Sequence, residues 1–366
     1  MNLILLPTLE CNAACCYCFE NKNKSKLSHE KLTIIIEKVL EYLDKIGDDT
    51  LVIHWQGGEL TTLSPEWYIH SMEIIQKLAE SYNKNVMHYA QTNLLDYSKD
   101  WYHVYSTMFQ GTIGTSLDYP NLYRKPKNGT IEDYNAIIQK NLAQALEDGL
   151  NVGVISVPNE ATLEKGAEEF YKYYVETCHL TRFQINNPFP GGNANKETPK
   201  KPFHLQKLIA FYKNLSNIVM NQEAVFVSPL SNWIEYFLNG TLESACVWNE
   251  NCAKHFFCID PHGNIAQCDC WVTSYPEYHY GNILTSQSTL LEILSSSSIR
   301  KQFLKRPEVI IQNEDCIDCP YLALCHGGCP IRTYTITGTL YKKDPYCELY
   351  KTIFSYLENE LQQKLA

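Results

Sequence analysis

Short apolar runs alternate with amphipathic segments through the first half of the chain. Six runs have the length and residue types of buried strands, at residues 3–7, 50–56, 85–92, 111–118, 151–158 and 181–188. The segments between them carry apolar residues at helical spacing, as in Tyr134, Ile138, Leu142 and Ala145. Because parallel strands need helical crossovers, this order predicts a parallel sheet covered by helices.

Helix start signals precede several of the amphipathic segments. Ser28 is the expected cap of the first helix, Ser64 with Pro65 opens the second, and Thr130 with Asp133 has the pattern of a capping box. Further helices are predicted at residues 97–108 and 163–177. Six strand–helix units rather than eight predict an α/β fold, a partial (β/α)6 barrel that is open on one side. In such folds the chemistry lies at the carboxyl ends of the strands.

The alternating pattern ends near residue 195. Two more helices are predicted near residues 203–220 and 232–238, and a cysteine-rich region begins at Cys246. We therefore divide the chain into a partial barrel at residues 1–200, linking helices at 201–240, and a cysteine-rich domain with a C-terminal helix at 241–366. The sequence shows no internal repeat and no low-complexity tract.

Composition and charge narrow the possible functions. The net charge of −10 leaves no basic face for phosphate contacts, so no nucleic-acid partner is expected. No apolar run reaches the roughly 18 residues of a membrane span, and the N-terminus lacks the features of a signal peptide. We therefore expect a cytoplasmic protein without a membrane contact. In that reducing compartment, fifteen cysteines favour metal ligation over disulfides.

Three cysteines, Cys11, Cys15 and Cys18, follow the first predicted strand with the spacing C-x3-C-x2-C. Three thiolates on one short loop can hold a [4Fe–4S] cluster and leave one iron without a protein ligand. Structural zinc is the alternative, but it needs four ligands, and Cys16 would have to wrap the same ion as its neighbour Cys15. An open iron invites a substrate or a cofactor.

This cysteine loop after the first strand of a partial barrel resembles that of the radical SAM superfamily. In that family the open iron binds the amino and carboxylate groups of S-adenosylmethionine (SAM). One electron from the cluster cleaves SAM to methionine and a 5′-deoxyadenosyl radical, which takes a hydrogen atom from the substrate. The resemblance also implies an electron donor such as flavodoxin or ferredoxin, while the protein orients the cofactor.

Positions at the ends of the later strands match other motifs of the family. The segment QGGE resembles the GGE motif, whose glycines would let the backbone approach SAM and whose glutamate would accept from the SAM ammonium. QTN and SLD end the third and fourth strands, as in family members. The residues that the resemblance assigns to SAM are Tyr17 beside adenine, Ser116 and Arg124 at the carboxylate or ribose, and Gln56, Gly57, Gly58, Glu59 and Asn93.

A second set of cysteines occupies the C-terminal third. Taken alone, their C-x2-C-like pairs leave zinc ribbons open as an alternative. Their spacing resembles the SPASM extension of radical SAM enzymes, which holds two auxiliary [4Fe–4S] clusters that would relay electrons. The resemblance assigns the first cluster to Cys246, Cys252, Cys268 and Cys329, and the second to Cys316, Cys319, Cys325 and Cys347. We interpret the remaining cysteines as ordinary buried or loop residues: Cys16, Cys178, Cys258 and Cys270.

Asp269 directly follows Cys268 and is the candidate general base, with a solvated or capping aspartate as the alternative. SPASM proteins mostly modify peptides or proteins, which implies such a substrate here. Our main hypothesis is maturation of a ribosomally made peptide, by cross-linking or by backbone or side-chain modification. The alternative is an anaerobic sulfatase-maturing enzyme that forms formylglycine from Cys or Ser. A non-catalytic, zinc-bound peptide scaffold is a further alternative.

Departures from the family motifs favour the main hypothesis. The usual SLDGP, GGEP, QTNG and CFY read SLDYP, GGEL, QTNL and CFEN in this chain. We expect Tyr119 to add bulk beside the substrate, which favours a specialised peptide. Many peptide maturases carry an N-terminal domain that binds the leader of the precursor, and none is expected before Cys11. Leader recognition would then require a separate small partner protein or a groove on the barrel.

Overall fold

The computed structural model describes residues 1–192, 204–222, 224–242 and 248–365 of the chain. Within these residues ten strands form one sheet in the order β10-β9-β8-β1-β2-β3-β4-β5-β6-β7. The strands are β1 Asn2–Leu5, β2 Thr50–Trp55, β3 Asn85–Gln91, β4 Thr112–Ser116, β5 Asn151–Ser156, β6 Arg182–Ile185, β7 Phe226–Ser228, β8 Phe256–Ile259, β9 Asn264–Ala266 and β10 Gly281–Asn282.

The strands β8 and β1 to β7 run parallel, whereas β9 and β10 turn back as antiparallel strands. The six predicted strands are confirmed as β1 to β6, and the sheet is an open, incomplete barrel. Each strand ends before its predicted apolar run does. The residues beyond that end leave the sheet and form the loops at its carboxyl edge.

Helices follow the first five strands, with bounds His29–Ile46, Pro65–Ser81, Lys99–Thr107, Ile131–Glu147 and Glu160–Lys172; a π-helical turn, Tyr173–Thr177, extends the last. The predicted caps are confirmed. The Ser28 hydroxyl accepts from the N–H of Lys31, the Ser64 hydroxyl accepts from that of Trp67, and Thr130 with Asp133 forms a capping box. These bonds satisfy N–H groups that the helix leaves free at its start.

The rest of the described chain is mostly helical, with helices Leu205–Met220, Leu230–Asn239, Cys252–His255, Asp269–Ser274, Leu290–Ser296, Ser298–Asn313, Leu322–Cys325, Pro330–Thr337 and Cys347–Leu365. Short 3-10 turns lie at Leu60–Thr62 and Pro276–Tyr278. Strand β8 comes from the predicted cysteine-rich domain but pairs in parallel with β1. The division of the chain into domains stays a prediction, and the sheet extends across it. Over the described ranges, no helix combines the length and the apolar character that a membrane crossing needs.

The two faces of the sheet differ. On β2, Leu51, Ile53 and Trp55 are fully buried in the core under the helices. The alternate residues Val52 and His54 point to the opposite face and are only half-buried, as expected from the two-residue period of a strand. The side away from the helices is therefore open space, and its carboxyl edge is where the site loops meet.

Candidate active site

The loop after β2 crosses the cysteine loop after β1 at very short range. The N–H groups of Gly58 and Glu59 donate to the carbonyl oxygens of Thr8 and Glu10, at 3.0 and 2.8 Å. A Cβ on Gly57 would lie 2.4 Å from the Thr8 oxygen, and one on Gly58 would lie 2.2 Å from the Glu10 oxygen. Both positions therefore need glycine, because the two backbones pack directly against each other. That they also approach SAM stays a prediction.

Glu59 lies at the centre of the carboxyl edge and is 3% exposed. Its carboxylate accepts from the Thr92 hydroxyl at 2.5 Å, from the Asn93 N–H at 2.7 Å and from the Thr61 N–H at 3.2 Å. Burial raises its pKa, and these hydrogen bonds act against that rise. The structure thus uses Glu59 to tie the loops after β2 and β3 together. Its predicted contact with the SAM ammonium stays a prediction.

A cavity of about 300 Å³ opens between these loops. The predicted residues that line it are Cys11, Cys15, Cys18, Tyr17, Gln56, Gly57, Gly58, Glu59, Asn93, Ser116, Arg124 and Asp269. The fold therefore brings together every residue that the sequence assigned to the first cluster, to SAM and to catalysis. Cys16 does not line this cavity.

Three thiols and one ammonium group meet at the cysteine end of this cavity. Burial raises the pKa of Cys11, and it raises that of Cys18 to about 11. Burial lowers the pKa of Lys22, but the thiols of Cys18, Cys11 and Cys15 raise it more, so it lies above its usual value. The Lys22 ammonium donates to the Ala13 carbonyl at 3.3 Å. Sequence reasoning missed Lys22, because no motif includes it.

Arg124 and Tyr17 converge on the buried carboxylate of Asp118. The Arg124 Nε donates to Asp118 Oδ2 at 2.8 Å, and the Tyr17 hydroxyl donates to the same oxygen at 2.5 Å. The guanidinium carbon lies 5.1 Å from the centre of the Tyr17 ring. Among the described residues, the two Nη groups of Arg124 have no hydrogen-bond partner. The guanidinium is thus fixed at the cavity wall with donors to spare.

The four cysteines assigned to the second auxiliary cluster, Cys316, Cys319, Cys325 and Cys347, line one small cavity. Of those assigned to the first, Cys252, Cys268 and Cys329 lie together: burial, then Cys329 and Cys268, raise the pKa of Cys252 to about 12. Cys246 lies outside the described residues. The side-chain ligand atoms of Cys268, Asp269 and Cys270 are within 4.8 Å of one another.

A buried ion pair supports the loop that carries Cys325 and Cys329. Asp344 Oδ2 accepts from Arg332 Nη2 and from the Cys329 N–H, both at 2.8 Å. Arg306 donates to the carbonyl oxygens of Gly327 and Gly328, at 3.1 and 2.9 Å. The cysteine positions are therefore held by charged groups that the sequence gave no reason to single out.

Comparisons with known proteins cover nearly the whole chain, although no protein family model matches it. A serine-type anaerobic sulfatase-maturating enzyme of Bacteroides thetaiotaomicron is 23% identical over 381 residues, 95% of this chain and 88% of the relative. A cysteine-type anaerobic sulfatase-maturating enzyme of Clostridium perfringens is 24% identical over 372 residues, 97% of this chain and 96% of the relative. The solved structure of "Native anSMEcpe with bound AdoMet and Kp18Cys peptide" has a TM-score of 0.80 at 22% identity and covers 99% of both chains.

The structural likeness shows the fold, and the two relatives match it along the sequence. The chain is a radical SAM protein of the SPASM type. This confirms the resemblance that the cysteine spacing indicated. Members of this superfamily hold a [4Fe–4S] cluster and SAM at the carboxyl edge of the partial barrel. The residues of this cavity fit that pair, since three buried thiols face one side of it and a cation lies beside them.

The radical SAM cavity also contains two buried carboxyl groups at its SPASM side. Asp269 accepts from Gln56 Nε2 at 3.2 Å and from the Cys270 N–H at 2.9 Å, and burial raises its pKa. Glu20 is 4% exposed; burial, then the nearby Asp269, raise its pKa to about 8. Glu20 belongs to the CFEN departure from the family motif, and sequence reasoning gave it no role.

Tyr119, the largest departure from the radical SAM motifs, lies away from the cavity. Its ring stacks on Tyr173 with the centroids 3.9 Å apart, and its hydroxyl donates to Glu169 at 2.7 Å. Both partners belong to the helical segment that follows β5. The expectation that Tyr119 adds bulk beside the substrate is therefore wrong, because the side chain packs outward against that segment.

Proposed function

We propose that this radical SAM enzyme oxidises a cysteine or serine side chain of a peptide or protein substrate to formylglycine. Both relatives described above are anaerobic sulfatase-maturating enzymes, and a structural neighbour is described with a bound peptide. The observation that carries the proposal is the position of Asp269, which lines the same cavity as the three cluster cysteines and the predicted SAM residues.

The cofactors are SAM, the [4Fe–4S] cluster of Cys11, Cys15 and Cys18, and the auxiliary clusters of the SPASM region. When bound, they supply a 5′-deoxyadenosyl radical that abstracts hydrogen, and an acceptor for the remaining electron. Conversion of a serine CH2OH group to an aldehyde also releases a proton. Asp269 receives that proton in our proposal, and Gln56 orients its carboxylate. Lys22 and Arg124 give the cavity its positive groups.

Our main hypothesis from the sequence, maturation of a ribosomally made peptide, has lost its support from Tyr119. A flavodoxin or ferredoxin as electron donor and a separate leader-binding protein stay predictions from the sequence. The cytoplasmic location likewise stays a prediction.

The test uses anaerobically reconstituted protein with SAM, a reductant, and synthetic peptides that carry a single Cys or Ser. We expect release of 5′-deoxyadenosine and a product whose mass and hydrazine reactivity match formylglycine. Asp269→Asn should lower product formation by roughly 10²- to 10⁴-fold, the usual contribution of a general base. Its 5′-deoxyadenosine release should fall much less, because the proton acceptor acts after hydrogen abstraction.

Asp100→Asn is the matched control, because Asp100 is exposed at the start of helix Lys99–Thr107, on an outer helix. It should form product at the wild-type rate. A cross-linked peptide without an aldehyde would contradict formylglycine formation and restore the peptide-maturation hypothesis. Unchanged product formation by Asp269→Asn would remove Asp269 from the mechanism.

A further inference from the structure

A second and larger cavity, of about 500 Å³, lies on the face of the sheet opposite the helices. We call it the lower cavity. It is bounded by residues of strands β2 to β7, and Gln56, Gln91 and Ile155 line both this cavity and the one described above. The two spaces are therefore continuous along the inner face of the partial barrel. Closed (β/α)8 barrels fill this interior with layers of side chains.

Two glycines on neighbouring strands leave the space open. Gly114 on β4 and Gly153 on β5 are register partners, and both line the lower cavity. The space above Gly114 is taken by the Gln91 amide, whose oxygen would lie 2.1 Å from a Cβ there. A Cβ on Gly153 would meet nothing closer than 3.8 Å, and Gly153 does not have a positive φ.

Gly153 thus has no backbone reason to be glycine, although glycine weakens a strand interior. A glycine of this kind marks a place where a ligand or another backbone approaches the sheet closely. The open floor of the lower cavity is therefore a feature of the sequence itself.

Arg182 on β6 is the one cation in the lining. Its side chain runs beside Gly153, with Cδ at 3.8 Å from the Cβ position of that glycine. The lining residues include no Asp, Glu or Lys, and burial lowers the pKa of His54, the histidine of the lining. Among the described residues, the Arg182 guanidinium has no ion-pair or hydrogen-bond partner. In a chain of net charge −10, this cavity is suited to an anion.

The remaining walls suit a peptide. Tyr89 is 39% exposed and stacks on His54 at a centroid distance of 5.6 Å, which gives an aromatic surface for apolar side chains. Amide side chains of Gln56, Gln91 and Gln184 line the path, and each offers both donors and an acceptor. Peptide bonds present the same two groups, so an extended segment can be bound through its backbone.

We propose that the lower cavity binds an extended segment of the peptide substrate and that Arg182 pairs with a carboxylate of that segment. The proposal rests on the proposed function in that the substrate is a peptide. Gly153 and Ile155 are two residues apart on β5, a rise of about 7 Å, so Arg182 lies roughly two or three peptide residues below the upper cavity. The occupant is thus an acidic segment a few residues from the reacting Cys or Ser.

The test measures equilibrium binding to the SAM-loaded holoenzyme by fluorescence anisotropy. The probes are labelled peptides with one Cys and a single Asp placed at each position within six residues of it, together with the matching Asn peptides. We expect one narrow range of positions where Asp lowers Kd by roughly three- to fivefold relative to Asn, the size of a solvent-accessible ion pair. Arg182→Gln should abolish that difference, and Arg182→Glu should transfer the preference to a Lys peptide.

Lys140→Gln is the matched control, since Lys140 is an exposed cation on the outer helix Ile131–Glu147. Gly153→Val should fill the cavity and raise the Kd of every peptide by roughly tenfold, about 1.4 kcal/mol. Its melting temperature should be unchanged or higher, because valine favours a strand and has room there.

Binding is measured without turnover, so it separates this proposal from the proposed function. Peptides that bind with the Arg182-dependent preference but yield no formylglycine would contradict only the proposed function. Formylglycine formation without an effect of Asp at any position, or an Asp preference that survives in Arg182→Gln, would overturn the lower-cavity proposal. Arg182-dependent binding of free aspartate with the same affinity as the peptide would also overturn it, because the occupant would be a small carboxylate.

Discussion

At the residue scale, the active site depends on side chains that are used up inside the protein. Glu59 makes its hydrogen bonds to Thr92, Asn93 and Thr61, so its first role in this structure is to hold three loop segments in place. A buried acceptor that is replaced by a donor leaves N–H groups unsatisfied, which is more costly than losing one bond.

Glu59→Gln should therefore lower the free energy of unfolding by about 1–3 kcal/mol, because one oxygen becomes an NH2 group that faces donors. Thermal melting of the wild-type and variant holoenzymes measures the change. Glu37→Gln, on the exposed side of helix His29–Ile46, is the control and should melt as the wild type does. Equal melting temperatures for Glu59→Gln would show that the carboxylate does not brace these loops.

At the element scale, strands β2 and β3 are joined under the helices by a bond between their side chains. Trp55 Nε1 donates to His88 Nδ1 at 3.0 Å, which requires a neutral imidazole. Burial lowers the pKa of His88 from 6.5 to about 4. A protonated His88 would have no lone pair for the indole, so the strand pair is coupled to pH.

The lowered pKa of His88 fixes the sign of this pH dependence. Its contribution is complete above pH 6.5 and is lost as the pH falls from 6.5 toward about 4, because the unfolded state takes up the proton first. The slope approaches about 1.4 kcal/mol per pH unit at the acid end. His88→Gln keeps an acceptor for Trp55 and should show a flatter dependence of melting temperature on pH over this range.

The exposed His70 provides the comparison, and His70→Gln should keep the wild-type slope. If His88→Gln and wild-type melting temperatures ran parallel between pH 6.5 and 4.5, His88 would not be the group responsible.

At the scale of the whole molecule, the SPASM region and the barrel share structural elements. Strand β8 completes the pairing of β1, and Tyr346 before the C-terminal helix donates to the Pro188 carbonyl at 2.7 Å. On the same side, the Tyr212 hydroxyl donates to Asn187 at 3.0 Å. The cysteine-rich region is thus part of the framework that shapes the carboxyl edge of the sheet.

A chain that ends at residue 240 should therefore fail to fold as a stable unit. It lacks β8, so β1 becomes an exposed edge with unpaired backbone groups, which favours aggregation. Size-exclusion chromatography with light scattering, beside the full-length apoprotein, measures this. A monomeric fragment with a cooperative melting transition would show instead that the barrel folds independently of the SPASM region.

The sequence by itself determined the six βα units, their caps and the cysteine groups, because these follow from local periodicity, local hydrogen bonding and ligand spacing along one loop. It also named the residues that meet in the upper cavity, since parallel strands bring their carboxyl ends to one edge. Only the tertiary structure decided where Tyr119 points, that β8 joins β1, and that Lys22 and Glu20 face the cavity. These facts depend on contacts between segments far apart in the chain. The open floor at Gly153 is decided in the same way, because a glycine in a strand gains its meaning from what surrounds it.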